Sequence, residues 1–368
     1  MQKRNRIMDS GHNIKPIQIE NRLIGPGHPV FIIAEIGVNH NGDKVLAKRT
    51  IEAAARAGAD CVKFQTWRTE EFMADRDLEY EYVSGGGLVK EKMYDMFKRL
   101  ELPLQWHQEL FDHARNLGLV PLTSVADPLS TDAALEAGVK ALKLASEDLI
   151  NLPLLEYVAA KDVPLILSTG MADEIEIKDA LEIMKHYHAL SRTIFLHCVS
   201  LYPTKDGEAN LLRMQAIQEV TGCIPGYSDH TIGPEACLGA VALGACVLEK
   251  HFTLDKGLPG PDHAMSADPK ELMRLVSMIR RIDNMLGQKI LQLSEREAEV
   301  RNTFRRSIVA ARDLLAGERL KAEDLSLKRP GYGMQPRNLS NIIGKKIMCN
   351  IKKNERIVLN FFDDEYGE

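Results

Sequence analysis

The chain has 368 residues, 45% of them hydrophobic and 27% charged, the balance of a folded globular protein and not of a disordered one. Forty-seven Lys and Arg against 52 Asp and Glu leave a formal charge of −5. That excludes any global attraction for nucleic acid or an anionic membrane, so an anionic ligand must be held by local positive charge.

The N-terminal stretch MQKRNRIMDSGHNIKPIQIEN carries charges but no apolar segment of the kind a secretion signal needs. In chain order, the apolar runs 30–37, 61–65, 119–125, 139–146, 163–169, 193–200, 224–230 and 246–252 read as strands. Amphipathic stretches at 44–57, 104–117, 174–188, 211–220 and 235–243 read as helices. Glycine recurs just past a helix and just before a strand, in AGAD (57–60), LGLV (117–120), AGVK (137–140) and LGAC (243–246), where a left-handed residue ends a helix. Eight strand–helix repeats over roughly 250 residues predict a closed (β/α)8 TIM barrel occupying residues 1–286. A doubly wound sheet is the alternative, but the first strand is followed by GVNHNGD and not by G-x-G-x-x-G. The longest uncharged run, 236–248, is shorter than the ~20 residues that span a bilayer. Residues 287–306 read as a charged linker with some helix. Residues 307–368, with short runs at 307–311, 325–328, 347–351 and 357–359, predict a small β-rich domain that packs on another surface. Six cysteines without a C-x-x-C pair, Cys61, Cys198, Cys246 and Cys349 among apolar neighbours, predict reduced, mostly buried thiols and a cytoplasmic location.

A barrel of this kind works at the C-terminal ends of its strands. The polar residues there are Glu35, Asn39 and His40; Lys63 and Gln65; Thr123 and Ser124; Lys143 and Ser146; Ser168 and Thr169; His197, Ser200 and Tyr202; Ser228, Asp229 and His230; Glu249, Lys250 and His251. A single lysine or histidine in such a place is ordinarily a snorkelling or satisfied side chain. Several charges at one end of a barrel buried on both faces are costly without a purpose, so together they mark a site. Lys63 and Lys143, with the hydroxyls of Ser146, Ser168 and Ser228, suit phosphate and carboxylate oxygens. His230 and His251, ending adjacent strands, can share a divalent metal and leave positions for substrate and water. Glu35 and Glu249 suit a base, a partner for metal-bound water, or an orienter of a histidine.

The runs IAEIGVNHNGD (33–43), VKFQT (62–66), LKLAS (142–146), LSTGM (167–171), HCVSLYPT (197–204), GYSDHT (226–231) and EKHFTLDKGLPGPDHAMS (249–266) resemble the sialic acid synthase family. The tail motif KRPGYGM (328–334) is similar to that of its antifreeze-like SAF domain. The resemblance implies condensation of phosphoenolpyruvate with an N-acylated mannosamine-type sugar to a nine-carbon 2-keto acid. It implies Lys63, Lys143, Ser146, Ser168 and Ser228 as the phosphoenolpyruvate site, and His230 and His251 as ligands of a divalent metal, typically Mn2+, with Mg2+ or Co2+ as substitutes. It further implies Glu35 at the sugar or its activated water, Gln65 and Tyr202 in the pocket, and Asp262 on the sugar. Arg329 would reach the acyl group from the SAF domain of the partner in a domain-swapped homodimer. Glu35, Lys63, Lys143 and Glu249 are thus the catalytic candidates, and Thr123 and Ser200 join the substrate-binding set. The chain departs from the family pattern at Glu147, where a small residue is usual, at Ser200, where asparagine is usual, and in the insertion 67–103. The insertion's GGG (85–87) is expected to form a flexible lid. These departures point toward a dideoxy diacetamido sugar, a legionaminic or pseudaminic acid precursor, beside N-acetylmannosamine or its 6-phosphate. The rival readings are a Schiff-base aldolase using Lys63 or Lys143 and a non-catalytic carbohydrate-binding protein.

Overall fold

The computed structural model of the protein describes residues 14–362. The expectation for the N-terminal segment concerns chiefly residues 1–13, and the small domain was drawn through 363–368; both segments lie outside the described residues. Eight parallel strands close into a barrel. Numbered here as barrel strands 1 to 8, they are Phe31–Gly37, Cys61–Thr66, Val120–Val125, Leu142–Leu144, Leu165–Ser168, Thr193–Cys198, Ile224–Asp229 and Val247–His251. The ring closes where strand 8 pairs with strand 1, from Val247 opposite Phe31 to His251 opposite Glu35.

Strand periodicity of two sorts the side chains into two apolar layers. Phe31, Ile33, Val120, Leu122, Ile166 and Ile194 fill the barrel interior at the strands' N-terminal end. Ile32, Val62, Phe64, Leu142, Leu165 and Leu248, out of phase with them, pack outward under the helices. An antiparallel hairpin (Ile17–Ile19 with Arg22–Ile24), which no sequence signal had marked, adds Ile17, Ile19 and Ile24 to the interior layer and seals that end. The helices are capped as their sequences suggest. Asp43 accepts hydrogen bonds from the amides of Val45 and Leu46 at the start of Lys44–Ala57, and Gly58 ends that helix at φ 84°.

The insertion is ordered by a small core in which Trp67, Tyr82, Met96 and Leu100 pack with Val38, just past barrel strand 1. It comprises helix Thr69–Phe72, a hairpin of Glu79–Ser84 with Gly87–Lys92, and helix Met93–Leu100. The GGG run expected as a flexible lid is instead a tight hairpin turn. Gly85 and Gly86 sit at φ 58° and 81°, as a two-residue turn with both central residues left-handed requires.

The chain divides between Lys289 and Ile290 into two compact units. In the second, Ser294 caps the helix Glu295–Phe304 within the stretch read as linker. Strands Ser307–Ala310 and Leu325–Lys328 pair antiparallel over a core that includes Ile308, Leu320, Ile342 and Ile347. The other two expected strands, 347–351 and 357–359, do not form strands. Residues 347 and 351 make only the isolated bridges Ile347–Phe362 and Leu314–Ile351, because a bend at Met348–Cys349 breaks the first run and the one-turn helix Leu359–Phe361 takes over the end of the second. All six cysteines are free, and only Cys349 is not fully buried. Among the described residues no helix is long and apolar enough to cross a membrane.

Candidate active site

Above the apolar interior layer, the inward phase of the same strands turns polar. Glu35, Lys63, Gln65, Ser124, Lys143, Ser168, Ser228, Glu249 and His251 face a cavity of about 470 Å³, joined by Ser146, Ser200, Tyr202, His230 and Asp262 from the strand-to-helix loops. That volume suits a small-molecule site. Thr123 is the exception among the barrel candidates. It is one residue out of phase, so its hydroxyl turns outward and lies 2.8 Å from Thr66 Oγ1, which in turn lies 2.7 Å from His107 Nε2. Ser124 takes its place and accepts a 2.8 Å hydrogen bond from Lys63 Nζ. His197 also faces away, with Nε2 2.8 Å from the Ala209 carbonyl. Asn39 lies in a second layer, donating to the Phe252 carbonyl at 3.0 Å and to Ser266 Oγ at 2.9 Å. Arg329 belongs to the second unit, where its guanidinium lies 5.8 Å from the centre of the Phe304 ring.

The two lysines differ in their counter-charges. Lys63 Nζ lies 2.9 Å from Glu35 Oε2 and 3.7 Å from Glu249 Oε1. Lys143, 1% exposed, donates to Ser168 Oγ and to the Leu144 carbonyl, both at 2.7 Å, and has no carboxylate partner among the described residues. Burial holds its ammonium below the ordinary 10.5. Such a charge is costly until an anion arrives. The two carboxyls are also pushed apart. Burial raises Glu35 above its ordinary value, and Lys63 reverses this only in part. Burial acts on Glu249 in the same direction, but Lys63, Lys143 and His251 outweigh it and hold the carboxyl low. Gln65 Nε2 donates to Glu35 Oε1 at 2.7 Å, and Ser228 Oγ donates to Glu249 Oε1 at 3.0 Å. Glu35 is therefore the carboxyl suited to taking up and returning a proton, and Glu249 the permanent anion.

One feature, Gly170, was missed in the sequence, and one departure noted there, Glu147, is placed by the structure. The Gly170 amide donates to Ser146 Oγ at 3.0 Å, and a Cβ on Gly170 would collide with Ser200 Oγ and fall 2.6 Å from Ser146 Oγ. Glu147, the departure from the family pattern, lines the cavity. Asp148 is buried behind it, where burial and the Glu147 charge raise its carboxyl to about 7.

The donor set fits a divalent ion. The rings of His230 and His251 are 5.3 Å apart. His230 Nδ1 lies 2.7 Å from the Val199 carbonyl, a bond that assigns the proton to Nδ1 and leaves Nε2 as a lone-pair donor. Burial alone would lower the His230 imidazole, yet Cys198 and the Val199 carbonyl raise it to about 9, so an ion binding at Nε2 has to displace a proton. Buried His251 Nδ1 lies 3.3 Å from Asp262 Oδ2 but makes no hydrogen bond. Among the described residues no group of three or more His, Cys, Asp or Glu is arranged for a metal. An ion here would have two imidazole ligands and several positions for water and substrate.

Outside the barrel wall, Lys250 and Asp229 tie strands 7 and 8 together. Asp229 accepts from Lys250 Nζ at 2.6 Å, from the Thr231 amide at 2.8 Å and from Tyr227 Oη at 3.2 Å. Lys250 also donates to the carbonyls of Thr231 and Gly233. This anchors the turn carrying His230. Lys250→Met is expected to lower unfolding stability by about 3–5 kcal/mol by stranding the Asp229 carboxylate. Urea unfolding measures it, and an unchanged midpoint would show the pair to be dispensable.

Comparison with known proteins is consistent across both units. A family model described as NeuB family matches residues 50–291, and one described as SAF domain matches residues 305–362. The chain is 42% identical over 330 residues to an N,N'-diacetyllegionaminic acid synthase of Legionella pneumophila, covering 89% of this chain and 93% of that one. It is 36% identical over 349 residues to an N-acetylneuraminate-9-phosphate synthase of Mus musculus, covering 93% and 96%. A crystal structure of an N-acetylneuraminic acid (sialic acid) synthetase from Leptospira borgpetersenii serovar Hardjo-bovis, in complex with citrate, superposes with a TM-score of 0.71 at 36% identity, over 78% of this chain and 96% of that one.

Proposed function

The chain belongs to the NeuB family, and on that premise we propose that it condenses phosphoenolpyruvate with an N-acylated mannosamine-type sugar, giving a nine-carbon 2-keto acid and inorganic phosphate. The observation that carries this reading is the buried Lys143 ammonium with no carboxylate partner, beside Lys63 and a ring of serine hydroxyls. Phosphoenolpyruvate brings a carboxylate and a phosphate to that floor, where Lys63, Lys143, Ser146, Ser168 and Ser228 receive them. Its C3 attacks the aldehyde carbon of the open-chain sugar, forming the C–C bond and leaving positive charge at C2. The aldehyde oxygen takes the proton of Glu35 and becomes a hydroxyl. Water adds to C2 and returns a proton to Glu35, and the tetrahedral adduct expels phosphate by breaking the C2–O bond, the C2 hydroxyl proton leaving with the phosphate as the ketone forms. Glu249 keeps Lys63 charged and fixed, and the two lysines stabilise the anionic groups without reorganising. Asp262 holds the sugar, with Gln65, Ser200 and Tyr202 around it. A divalent ion on His230 and His251, Mn2+ by preference and Mg2+ or Co2+ as substitutes, would supply Lewis-acid polarisation of the sugar aldehyde. The free, mostly buried thiols fit a reducing compartment, and we place the enzyme in the cytoplasm.

A phosphate-release assay with phosphoenolpyruvate, Mn2+ and a panel of N-acylated mannosamines tests the reading; no release with any of them would refute it. His230→Ala and His251→Ala are each expected to weaken Mn2+ binding in titration calorimetry by at least the roughly 10–100-fold that loss of an outer-shell partner costs, while the circular dichroism spectrum is retained. Undiminished Mn2+ binding would remove these residues from the metal site.

Arg329 is proposed to recognise the acyl group across a domain-swapped homodimer. Arg329→Ala and Lys143→Ala proteins are then expected to be nearly inactive alone. Co-refolded in equal amounts, they should regain about a quarter of wild-type activity, because half the dimers carry one intact composite site. Absence of rescue, with both chains folded and mixed dimers confirmed, would place Arg329 in its own subunit's site or in none.

A further inference from the structure

Asp262 reaches the cavity from the loop between strand 8 and the helix Pro269–Met285. A loop holds a side chain in place only where its backbone is tied to something rigid. Here one buried side chain makes the tie. Asn39, two residues past strand 1 and 1% exposed, uses both of its amide hydrogens on this loop. One goes to the Phe252 carbonyl at 3.0 Å, where the loop leaves strand 8, and the other to Ser266 Oγ at 2.9 Å, where the loop returns. The amide cannot be turned over, because Oδ1 would then face the Phe252 carbonyl, acceptor against acceptor. Ser266 has a single hydroxyl hydrogen, and it goes to the Asp262 carbonyl at 2.6 Å. The result is one directed chain from Asn39 through Ser266 to Asp262. Two residues on, Asn41 Nδ2 adds a second tie, to the Pro259 carbonyl at 2.8 Å. Within the loop, His263 Nδ1 lies 2.7 Å from Thr253 Oγ1, a contact that shapes the loop without attaching it to strand 1. Asn39 Oδ1 is buried with no partner among the described residues, a cost to stability of the kind that accompanies a functional site.

We propose that Asn39 is a positioning residue for the sugar, acting through Ser266 on the backbone of Asp262. The inference rests on the synthase reading above and on the place given there to Asp262. Asp262 lines the cavity, whereas Asn39 and Ser266 do not, so they act on the reaction only through the groups they hold. The phosphoenolpyruvate floor is held by other contacts, Lys63 by Glu35 and Ser124 and Lys143 by Ser168. Loss of the tie therefore falls on the sugar and spares the other substrate.

The test measures kcat and KM at saturating Mn2+, for phosphoenolpyruvate and for whichever N-acylated mannosamine of the panel gives the fastest phosphate release. The proteins compared are the wild type, Asn39→Ala, Ser266→Ala, Asp262→Ala and the double variant Asp262→Ala/Ser266→Ala. Asn39→Ala and Ser266→Ala are each expected to lower kcat/KM for the sugar by about 10–100-fold, the scale of a misplacement near 1 Å, with the phosphoenolpyruvate KM nearly unchanged. In the Asp262→Ala protein, adding Ser266→Ala should cost nothing further, because the group it positions is already gone. A merely structural role would instead multiply the two losses. Multiplied losses, equal effects on both substrates, or undiminished turnover of Ser266→Ala would each overturn the proposal and leave the synthase standing. Undiminished turnover of Asp262→Ala would do the same by removing Asp262 from the sugar. Absence of phosphate release from the wild type with every sugar would overturn the synthase reading and this proposal with it. If Asn39→Ala does not fold, Ser266→Ala still decides, since it removes one hydroxyl and leaves the bond from Asn39 to Phe252 in place.

Discussion

Lys143→Met is expected to lower kcat/KM for phosphoenolpyruvate by about 10²–10³-fold, the scale of losing a preorganised charged donor, and at the same time to raise the Tm of the ligand-free protein. The two effects share one cause. The ammonium is buried and hydrogen-bonded to Ser168 and a carbonyl, with no carboxylate in contact and only a partial offset from Glu249, so in the empty protein its charge is a cost that the bound anion removes. Methionine keeps the length of the chain and removes the charge. The pH dependence follows with a definite sign. Burial depresses the Lys143 ammonium below 10.5, so the folded protein sheds this proton more readily than the unfolded one. Stability of the empty protein should then rise with pH between the depressed value and 10.5. Over the same interval kcat/KM for phosphoenolpyruvate should fall, because binding needs the ammonium. Lys143→Met should lose the stability limb. A variant that keeps its activity or melts much lower would show Lys143 to be a structural residue. Borohydride trapping in the presence of a keto acid separates the remaining possibility, since a covalent adduct on Lys143 would replace the electrostatic role by a Schiff base.

Gly170→Ala is expected to lower kcat/KM for phosphoenolpyruvate by about 10²-fold with little loss of secondary structure, because a displacement near 1 Å at a reacting site has that scale. Its Cβ would press on Ser200 Oγ and Ser146 Oγ at once. One of the two must move, and Ser146 carries the hydrogen bond from the Gly170 amide. Double replacement with Ser200→Gly should recover part of the loss by clearing one of the two clashes. Unimpaired turnover in the single variant would mean that the serines are not held against the substrate.

The barrel was legible because its signals are local and repeated: eight apolar runs, with amphipathic stretches between them and glycine stops at four of the junctions. Lys63, Lys143, Glu249 and His251 were legible for a related reason, since charge at the end of an otherwise apolar strand is conspicuous. Thr123 was chosen where Ser124 belongs, although the signal was present. Counting by twos from Val120 and Leu122 brings Ser124, not Thr123, to the interior. The same count sends Lys250 outward to Asp229 while Glu249 and His251 turn in. Gly170 and the tie from Asn39 to Ser266 had no such signal. Their roles arise from approaches between segments far apart in the chain, which composition and spacing do not encode. The glycine run at 85–87 was readable as punctuation, but only the pairing of Ser84 with Gly87 distinguishes a tight turn from a loose loop.

The hairpin of residues 17–24 plugs the barrel interior with Ile17, Ile19 and Ile24, which makes the cavity a cul-de-sac and imposes an order on traffic through it. The lysine floor lies deepest, so the three-carbon reactant must enter before the sugar covers it. By the same geometry the nine-carbon acid must depart before phosphate can escape. Inorganic phosphate is then the last species on the protein in each cycle. It should inhibit competitively against phosphoenolpyruvate and non-competitively against the sugar, a pattern that follows from a closed end of the barrel some distance from any reacting atom.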